Sequence, residues 1–230
     1  MTTRVGIIGW PLTYTLSPVV HNAAFAALGM DWFYDAMAIP PDIVRLGLRE
    51  PADHGYVGLS VTIPHKEAVM RYVIPDDTAH AVGAVNTVDL REYKGYNTDV
   101  GGFIDDVRAH DIGLEGAHVV VLGAGGAARA AVYGLGQAGA RVSVVNRTPE
   151  RANTMLANLS IHLPKLDARA VSFEDTTRDT IDLMVNCTPV GMYPNVDANP
   201  WDAAVPFPQG VTGYDMIYRP SKTRLMQQAE

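Results

Sequence analysis

The chain has 230 residues, 47% of them hydrophobic, and its 25 acidic residues outnumber 18 basic ones to give a formal net charge of −7. This composition is typical of a globular protein, and the length allows one large domain or two small ones. The negative charge argues against a general nucleic-acid surface, and no apolar run approaches the roughly 20 residues of a membrane span. We therefore expect an enzyme that acts on a small molecule.

Two features concern the compartment in which the chain works. The start of the chain, MTTRVGIIGW, leads directly into an apolar strand, so we expect no signal peptide. Cys187 is the single cysteine, which excludes an internal disulfide and fits a reducing compartment. These features predict a cytoplasmic location.

The first half of the chain alternates between apolar strands and helical segments. We predict strands over 4–9, 32–39 and 56–63, helices over 17–29, 41–50, 65–73 and 100–110, and an antiparallel strand pair over 84–90 and 94–99. In the first helix, Ser17 suits the N-cap, Pro18 the first helical position and Gly29 the C-terminal stop. We place a domain boundary near residues 99–115, within or just beyond the last of these helices.

A second series of strands and helices follows that boundary. The predicted strands are 118–123, 141–146 and the apolar runs RAVS, IDLMVN and VTGYDM, and the predicted helices are 126–138 and 149–159. The segment PSKTRLMQQAE then starts a last helix, with Ser221 as its cap. Regular alternation of this kind favours parallel α/β sheets.

A glycine-rich turn, GAGGAAR, joins the strand at 118–123 to an alanine-rich helix. Small residues there let the backbone close on a pyrophosphate, whose charge is met by N–H groups at the helix N-terminus. Ala128 stands where a strict GxGxxG would have its third glycine, so the strand–turn–helix context carries the prediction. The alternative is a tight turn without a ligand. The residues predicted to bind a cofactor here are Gly123, Ala124, Gly125, Gly126 and Ala127.

The residues after the next strand indicate which cofactor is bound. About 20 residues beyond such a turn, an NAD site usually places a carboxylate on the ribose 2′-hydroxyl. This chain instead has Asn146, Arg147 and Thr148, and a guanidinium can hold a 2′-phosphate in a two-point contact. The sequence therefore predicts NADP, with Arg129, Arg147 and Arg151 as candidate contacts. Thr148 and Pro149 also suit the start of a helix, a role compatible with phosphate binding by Arg147.

Further motifs stand at the predicted turns along the chain. In chain order they are VTIPHKE (61–67), GAVNT (83–87), NTDVGGF (97–103), GAGGAAR (123–129), NRT (146–148), NCTPVGM (186–192) and YDMIYRPSKT (214–223). Together they resemble the shikimate dehydrogenase family, and the resemblance extends from Gly9 to Gln228. It implies an α/β substrate domain (1–99), a Rossmann-like, doubly wound NADP-binding domain (100–220) and a cleft between them. It also implies reversible, NADPH-dependent reduction of 3-dehydroshikimate to shikimate, a step of chorismate and aromatic amino-acid biosynthesis.

The resemblance places the family's catalytic pair on Lys66 and Asp99. Hydride transfer to a ketone carbon leaves an alkoxide, which a lysine ammonium can stabilise and protonate. Asp99 can orient that ammonium and accept a hydrogen bond from a substrate hydroxyl. The sequence leaves open whether Lys66 donates the proton or mainly orients and polarises the carbonyl. The local alternatives are a solvated lysine in the first turn of a surface helix and an aspartate that caps a helix.

The resemblance also implies contacts with the substrate. Members of the family commonly show HSxSP near the N-terminus, with two serines that bind the substrate carboxylate. Here the stretch is YTLSP, so Tyr14 replaces the histidine, Thr15 the first serine, and Ser17 matches the second. Threonine keeps the hydroxyl but adds a methyl group and stiffens χ1. The other implied contacts are Thr62, Asn86 and Tyr218, and Ser60 stands where many members have asparagine.

The remaining implied residues lie on the cofactor side. They are Asp77, Thr188, Met192 and Met216, although Met216 and Cys187 suit the core equally well. We expect His65 to pack or to face solvent, and because the histidines show no metal-ligand spacing we expect no metal. The small-molecule substrate is the only partner expected, with the chain as a monomer or homodimer. Two alternatives stay open: a dehydrogenase of quinate or another shikimate-like polyol acid, and a non-catalytic nucleotide-binding homologue.

The end of the chain differs from the family pattern. Family members typically continue for some tens of residues and return a helical segment, including a glutamine that contacts substrate, to the substrate domain. The resemblance therefore implies that residues 221–230 only start this segment and that the rest is absent. From this we expect exposed apolar surface on the substrate domain and weakened substrate binding.

Overall fold

The structure is a computed structural model that describes residues 2–176 and 178–230. The chain divides into two units, Met1–Thr98 and Asp99–Glu230, which we call the N-terminal unit and the C-terminal unit. Each unit combines one sheet with helices, so the α/β class predicted from the sequence is confirmed. Within the described ranges, no helix is long and apolar enough to cross a membrane.

The N-terminal unit is built on a mixed sheet. Its strands are β1 (Thr3–Gly9), β2 (Trp32–Ala38), β3 (Tyr56–Val61), β4 (Ile74–Pro75), β5 (Thr87–Asp89) and β6 (Lys94–Tyr96), and its α-helices are α1 (Ser17–Ala27), α2 (Val44–Asp53) and α3 (Asp77–Val82). The six-stranded sheet has the order β2-β1-β3-β5-β6-β4. β1 is parallel to β2 and β3, whereas β5 is antiparallel to β3 and β6. The predicted antiparallel pair is therefore confirmed, with shorter strands than predicted.

The core of this unit holds the inner strands together. Ile8, Leu59 and Val88, from β1, β3 and β5, pack with Leu48 of α2 and with Val69, and none of the five is more than 2% exposed. Burial of such a side chain contributes about 1.5–3 kcal/mol. Because β5 runs opposite to β1 and β3, the core places the carboxyl ends of β1 and β3 beside the amino end of β5.

The prediction of a helix over residues 65–73 is wrong. The chain turns through residues 62–67 and forms only a short 3₁₀ helix, Ala68–Arg71. An α-helix would pair the Lys66 carbonyl with the Met70 N–H. That carbonyl instead accepts a hydrogen bond from the distant Val85 N–H at 2.8 Å. Lys66 therefore lies in a turn, and β3 ends before the predicted residue 63.

Other elements of this unit differ from the prediction at their ends. The helix predicted over 41–50 begins as a 3₁₀ turn, Pro41–Ile43, and continues as α2 to residue 53. β4 and α3 lie outside the predicted elements, because a strand of two residues and a helix of six carry little periodic signal. α3 begins after its N-cap Asp76, whose carboxylate accepts a hydrogen bond from the Ala79 N–H at 2.7 Å.

The N-terminal cap of α1 is also different from the prediction. The N-cap is Leu16, so Ser17 is the first helical residue and Pro18 the second. The Thr15 hydroxyl accepts a hydrogen bond from the Ser17 N–H at 3.2 Å, which satisfies a donor that a capping side chain would otherwise bind. Gly29 has a φ of +65° and donates to the Ala26 carbonyl at 3.2 Å, so the predicted C-terminal stop is confirmed.

One side chain of α1 protects the free edge of β2. The Asn22 side-chain amide donates to the Tyr34 carbonyl at 3.0 Å, and its oxygen accepts from the Tyr34 N–H at 2.8 Å. An additional strand would pair with these two backbone groups. Asn22 therefore satisfies the outer edge of β2 at Tyr34 and prevents another chain from pairing there.

We expect Asn22→Ala to lower the free energy of unfolding by about 1–3 kcal/mol, because two hydrogen bonds are lost and two backbone groups of Tyr34 remain unpaired. Urea denaturation followed by circular dichroism measures this change. The matched control is Asn153→Ala, at an exposed helical asparagine, for which we expect a change below about 0.5 kcal/mol. Equal stability of Asn22→Ala and the wild type would refute the edge-protecting role.

The C-terminal unit is built on a parallel sheet. Its strands are β7 (His118–Leu122), β8 (Arg141–Val145), β9 (Ala168–Ala170), β10 (Leu183–Asn186) and β11 (Thr212–Asp215), and its α-helices are α4 (Asp99–Ala109), α5 (Gly126–Gln137), α6 (Pro149–His162), α7 (Phe173–Thr176) and α8 (Arg224–Ala229). The five-stranded sheet has the order β11-β10-β7-β8-β9, and all its pairs are parallel. From β7 the chain builds outward to β9 and then to β11 on the other side, which is the predicted doubly wound arrangement.

The sequence pattern explains this sheet. Every residue of β7 and β10 is buried, as expected for inner strands of a parallel sheet that is covered on both faces. On one face, Val107 of α4 and Leu135 of α5 belong to the same buried cluster as Val121 and Val185. This packing fixes the carboxyl ends of β7, β8 and β10 at one edge of the sheet.

Two helix N-caps in this unit differ from those predicted. Thr148 occupies the N-cap position of α6 and Pro149 the first helical position, but the Thr148 side chain makes no capping hydrogen bond. The cap predicted at Ser221 is wrong, because α8 starts after Thr223. The Thr223 hydroxyl accepts a hydrogen bond from the Met226 N–H at 3.3 Å and donates to Asp215 at 2.7 Å, which ties the cap to the sheet.

Candidate functional site

The carboxyl ends of β1 and β3 are joined by backbone hydrogen bonds. The Thr62 N–H donates to the Ile8 carbonyl at 2.9 Å, and the Trp10 N–H donates to the Ile63 carbonyl at 2.9 Å. Gly9 is required at this position, because a Cβ there would lie 2.5 Å from Thr62 Cγ2. Thr62, a predicted substrate contact, is therefore held half-buried at this edge of the sheet.

Lys66 lies in the turn that follows Thr62. His65 is 1% exposed, its N–H donates to the Thr62 carbonyl at 2.9 Å, and its Nε2 lies 2.7 Å from the Ile39 carbonyl oxygen. A carbonyl oxygen only accepts, so Nε2 carries the proton. His65 is thus a packing residue, which is the first of the two roles expected for it. The Lys66 carbonyl is bound by Val85, so the backbone fixes the turn that presents the half-buried lysine side chain.

Asn86 lies at the same edge, just before β5. Its backbone carbonyl accepts a hydrogen bond from the Val61 N–H at 2.7 Å. Its side-chain amide donates to Thr98 Oγ1 at 2.8 Å, and its side-chain oxygen accepts from the Thr98 N–H at 2.9 Å. Asn86 therefore holds the residue that precedes Asp99 in the chain, a positioning role that the sequence did not indicate.

Thr15 and Ser17 are adjacent in the structure. The Thr15 hydroxyl donates to Ser17 Oγ at 3.1 Å, so the structure brings together the two hydroxyls predicted to bind a carboxylate. Tyr34 of β2 joins them. It is 3% exposed, and burial raises the pKa of its hydroxyl while the neighbouring Ser60 and Ser17 hydroxyls oppose the rise. None of the described residues makes a well-aligned hydrogen bond to the Tyr34 hydroxyl.

The sequence did not identify Tyr34 as part of this group. It lies within the predicted strand WFYDAMAI, where an aromatic residue is expected to serve the core. Only the folded chain shows that its hydroxyl lies beside Ser17 and Ser60, which come from α1 and β3. The fold therefore adds a buried phenol to the predicted pair of hydroxyls.

The glycine-rich turn of the C-terminal unit connects β7 to α5. Gly123 has a φ of +112°, and its N–H donates to the Val145 carbonyl at 2.8 Å. A Cβ on Gly123 would also lie 3.1 Å from Thr188 Cγ2, so glycine is required. Gly125 is the N-cap of α5, and a Cβ there would meet no atom of the described residues within 4 Å. The turn therefore leaves open space at the amino end of α5, where backbone N–H groups and the helix dipole favour an anion.

The strand register brings several other predicted cofactor residues to this turn. Leu122 of β7 lies opposite Val145 of β8 and Asn186 of β10. Since these strands are parallel, the segments that follow them emerge at one edge, at the point where the order of the strands reverses. The residues placed at this edge are Gly123, Ala124, Gly125, Gly126, Ala127, Asn146, Arg147, Thr148 and Thr188.

The three arginines considered for the 2′-phosphate differ in exposure. Arg147 and Arg151 are exposed after β8, and the Asn146 side-chain amide closes their turn by donating to the Thr148 carbonyl at 2.8 Å. Arg129 is 8% exposed on α5. Because a phosphate has to reach the guanidinium from solvent, the exposure favours Arg147 and Arg151 over Arg129.

A buried polar network positions Thr188. The Asn186 side-chain oxygen accepts from the Thr188 N–H at 2.9 Å and from its hydroxyl at 2.7 Å. The Asn186 amide donates to Asp215 at 3.0 Å, and Asp215 also accepts from the Thr223 hydroxyl at 2.7 Å. The sequence assigned a role to Thr188 but none to Asn186 and Asp215, although both stand in the motifs NCTPVGM and YDMIYRPSKT. The sequence does mark both positions, because Asn186 and Asp215 are each a polar residue at the end of an apolar strand.

The remaining predicted residues lie in several places. Asp99 is the half-buried first residue of α4, and Tyr218, which follows β11, is 59% exposed. Met192 is exposed, whereas Met216 packs against the core of the C-terminal unit, as its core alternative predicts. Asp77 is exposed on α3 of the N-terminal unit. In the part of the chain that the structure describes, no group of three or more His, Cys, Asp and Glu side chains could hold a metal ion.

Comparison with known proteins identifies the family. A family profile for the shikimate dehydrogenase substrate binding domain matches residues 7–88, and one for shikimate/quinate 5-dehydrogenase matches residues 107–187. A relative from Methanocella arvoryzae, named shikimate dehydrogenase (NADP(+)), is 40% identical over 233 residues, covering 100% of this chain and 84% of the relative. The chain belongs to the shikimate dehydrogenase family.

Solved structures of the shikimate dehydrogenase family share this fold. The shikimate 5-dehydrogenase from Thermus thermophilus, in complex with NADP(H) and shikimate, has a TM-score of 0.85 at 34% identity, covering 99% of this chain and 83% of that chain. The 5-ketofructose reductase of a Gluconobacter species, in a ligand-free form, has a TM-score of 0.81 at 26% identity, covering 100% of this chain and 84% of that chain. The shikimate dehydrogenase fold therefore also occurs in a protein named for another substrate.

Proposed function

We propose that this chain is an NADP-dependent oxidoreductase that reversibly reduces 3-dehydroshikimate to shikimate, a step of chorismate and aromatic amino-acid biosynthesis. The observation that carries the proposal is the similarity over the whole chain to a shikimate dehydrogenase (NADP(+)) at 40% identity. A second support is the structural match to a relative that contains NADP(H) and shikimate.

The C-terminal unit supplies the cofactor site in this proposal. The open space beside Gly125 and the N–H groups at the amino end of α5 suit a pyrophosphate. Arg147 and Arg151 would hold the 2′-phosphate through two-point guanidinium contacts, and Thr188 and Met192 would line the nicotinamide side. NADPH, when bound, supplies the hydride.

Lys66 and Asp99 are the proposed catalytic pair. As the ketone of 3-dehydroshikimate is reduced, negative charge develops on its oxygen. The Lys66 ammonium stabilises that charge and donates the proton that completes the hydroxyl. In the oxidation of shikimate, the neutral lysine amine accepts this proton. Asp99 orients the ammonium and accepts a hydrogen bond from a substrate hydroxyl.

The N-terminal unit supplies most of the proposed substrate contacts. The adjacent hydroxyls of Thr15 and Ser17, 3.1 Å apart, are suited to bind the two oxygens of a carboxylate. Thr62 and Asn86, at the edge formed by β3 and β5, would bind the ring hydroxyls, and Tyr218 is the remaining proposed substrate contact. The closeness of Thr15 and Ser17 supports this assignment most directly.

The direct test of this function is the absorbance of NADPH after the protein is mixed with shikimate and NADP⁺. We expect the NADPH band to grow only when both compounds are present. Protein with NADP⁺ but without shikimate is the control. A folded protein that binds NADP⁺ but produces no NADPH would contradict the proposal.

Arg147→Ala should weaken NADP⁺ binding by about 1.5–3 kcal/mol, roughly 10- to 150-fold in Kd, because a charge-assisted contact is lost. NAD⁺ lacks the 2′-phosphate, so its affinity should change little. Calorimetric titration with each cofactor measures both values. The matched control is Arg178→Ala, at an exposed arginine of the same unit that pairs with Asp175, and it should leave both affinities unchanged. Equal losses for the two cofactors would mean that Arg147 acts on the fold or on the pyrophosphate.

A second candidate function is the oxidation of quinate or another shikimate-like polyol acid. Thr15, which replaces the first serine of the family pattern, and the match to a 5-ketofructose reductase favour it. A higher kcat/KM for quinate than for shikimate would establish this candidate. NADP⁺ binding without turnover of either compound would instead favour the non-catalytic alternative.

We also propose that the chain works in the cytoplasm, as a monomer or homodimer. The single cysteine, Cys187, fits a reducing compartment. Light scattering coupled to size exclusion would measure the mass of the particle in solution and so distinguish the two oligomeric states.

A further inference from the structure

The N-terminal unit contains a concavity whose lining is basic and aromatic. It has a volume of about 540 Å³, and we call it the arginine pocket. Its lining residues are Arg45, Leu48 and Arg49 of α2, Arg71 and Tyr72 after β3, and Tyr93 in the turn between β5 and β6. The volume lies within the range of about 300–1,000 Å³ that is usual for small-molecule sites.

The positive charges of the arginine pocket are only partly compensated by acidic side chains among the described residues. Among the described residues, no acidic side chain forms an ion pair with Arg45 or Arg71. Arg49 lies 3.6 Å from Asp53, but their side chains are 72% and 64% exposed, so this pair contributes little. Guanidinium groups around one concavity repel each other. A surplus of positive charge at one place on a chain with a net charge of −7 points to an anionic ligand.

The backbone conformation at position 93 is unfavourable for a tyrosine. Its φ of +52° is left-handed, a conformation that costs about 1–2 kcal/mol for a residue with a Cβ and that turns usually assign to glycine or asparagine. The Tyr93 carbonyl accepts a hydrogen bond from the Ile74 N–H at 2.7 Å, which fixes the turn. The Tyr93 side chain lines the arginine pocket beside Tyr72. A role in the pocket would explain why a tyrosine stands at this strained position.

The arginine pocket lies apart from the proposed substrate residues. In the antiparallel pair of β3 and β5, Ser60 lies opposite Thr87 and Gly58 lies opposite Asp89. Thr62 and Asn86 lie beyond the first of these pairs, whereas Tyr93 lies beyond the second. A ligand in the arginine pocket would therefore not occupy the proposed substrate site.

We propose that the arginine pocket binds a small molecule that carries a phosphate group. Guanidinium forks match phosphate oxygens in two-point contacts, and a phosphate dianion offsets more of the positive charge than a single carboxylate does. The hydroxyls of Tyr72 and Tyr93 can donate to phosphate oxygens, and their rings can stack on a planar part of the ligand. The ligand is either free phosphate or a phosphate ester, and the two are distinguished by experiment.

Calorimetric titration of the full chain with inorganic phosphate, pyrophosphate and ATP tests this proposal. Saturating NADP⁺ is present throughout, so that the proposed cofactor site is filled. We expect at least one probe to bind with a stoichiometry near one and with an affinity that falls as salt is added. Tighter binding of ATP than of both phosphate and pyrophosphate would identify an ester as the ligand, and binding of phosphate at least as tight as that of ATP would identify free phosphate. The absence of binding by all three probes would overturn the proposal.

The double substitution Arg45→Gln with Arg71→Gln should weaken this binding at least about tenfold. Its kcat and KM for shikimate should stay at the wild-type values, because the arginine pocket is separate from the proposed site. The control is Arg91→Gln, in the same turn as Tyr93, where the arginine pairs with Asp89 at 2.6 Å. That variant should keep the affinity. Binding that survives the double substitution, or that is lost only in Arg147→Ala, would overturn the proposal.

The substitution Tyr93→Gly distinguishes a role of Tyr93 in ligand binding from a role in the stability of the fold. Glycine relieves the left-handed strain, so Tm should stay the same or rise, whereas loss of the ring should weaken ATP binding roughly threefold. A tyrosine with a purely structural role would lower Tm when removed and leave the affinity unchanged. That result would exclude Tyr93 from the arginine pocket's function.

Discussion

Replacing Lys66 with alanine should lower kcat by a factor of roughly 10² or more, the loss expected when general acid–base help is removed. The developing alkoxide would lose both its ammonium partner and its proton donor. KM for shikimate should change less than kcat, because the lost interaction is strongest in the transition state. The fold should persist, since the turn is held by the main-chain bonds of Val85 to Lys66 and of His65 to Thr62.

The control for Lys66→Ala is Lys94→Ala, at an exposed lysine of the same unit that pairs with Glu92 at 2.6 Å. We expect this variant to keep the wild-type kcat. Far-UV circular dichroism and Tm establish that both variants are folded. A folded Lys66→Ala protein with near wild-type kcat would show that Lys66 is a solvated turn residue, as its local sequence alone suggests.

Replacing Asp99 with alanine should also lower kcat by roughly 10² or more, because the proposed carboxylate orients the catalytic ammonium and binds a substrate hydroxyl. Asp99 is the first residue of α4, where a negative charge also interacts favourably with the helix dipole. We therefore expect an accompanying stability loss of about 0.3–1 kcal/mol. Steady-state kinetics and urea denaturation measure the two effects separately.

The control for Asp99→Ala is a variant that loses only a helix cap. Asp76→Ala removes a carboxylate that accepts the Ala79 N–H at 2.7 Å, and should cost about 1 kcal/mol of stability without changing kcat. Asp99→Asn keeps the shape of the side chain and removes its charge, so it should lose about as much kcat as Asp99→Ala. If Asp99→Ala behaved like Asp76→Ala, the helix-start alternative would replace the catalytic one.

The sequence predicted the C-terminal unit with small errors. β7 and α5 were predicted over 118–123 and 126–138, and they extend over His118–Leu122 and Gly126–Gln137. The determinants of these elements are local, namely a continuous apolar run, glycines that permit a sharp turn, and alanines that favour a helix. Local determinants can be recognised without knowledge of the rest of the fold.

The N-terminal unit was predicted less well around its proposed site. The helix expected over 65–73 does not form, because the Lys66 carbonyl is bound by Val85, a residue distant in the chain. The N-cap expected at Ser17 is displaced to Leu16, because the Thr15 hydroxyl binds the Ser17 N–H. In the first case a tertiary contact overrides local propensity, and in the second a neighbouring side chain does.

The positions of the candidate residues were found through motifs, and their roles stay predictions. The motifs identified Lys66, Asp99 and the glycine-rich turn because the chemistry requires particular residue types in a particular order. Two of the motifs contain Asn186 and Asp215 but assigned no role to them, and no motif contains Tyr34. Those residues acquire their contacts only when strands distant in the chain lie next to each other.

The sequence by itself determined the α/β class, the doubly wound C-terminal unit and the family, since periodicity, turn chemistry and motif order are all written along the chain. Only the tertiary structure decided that Asn86 holds Thr98, that Asn186 and Asp215 position Thr188, and that arginines of α2 and of the segment after β3 line one pocket. The physical reason is the same in each case. Hydrogen bonds and charge repulsion act over a few ångströms in space, and the separation of two residues along the chain does not predict which groups come that close.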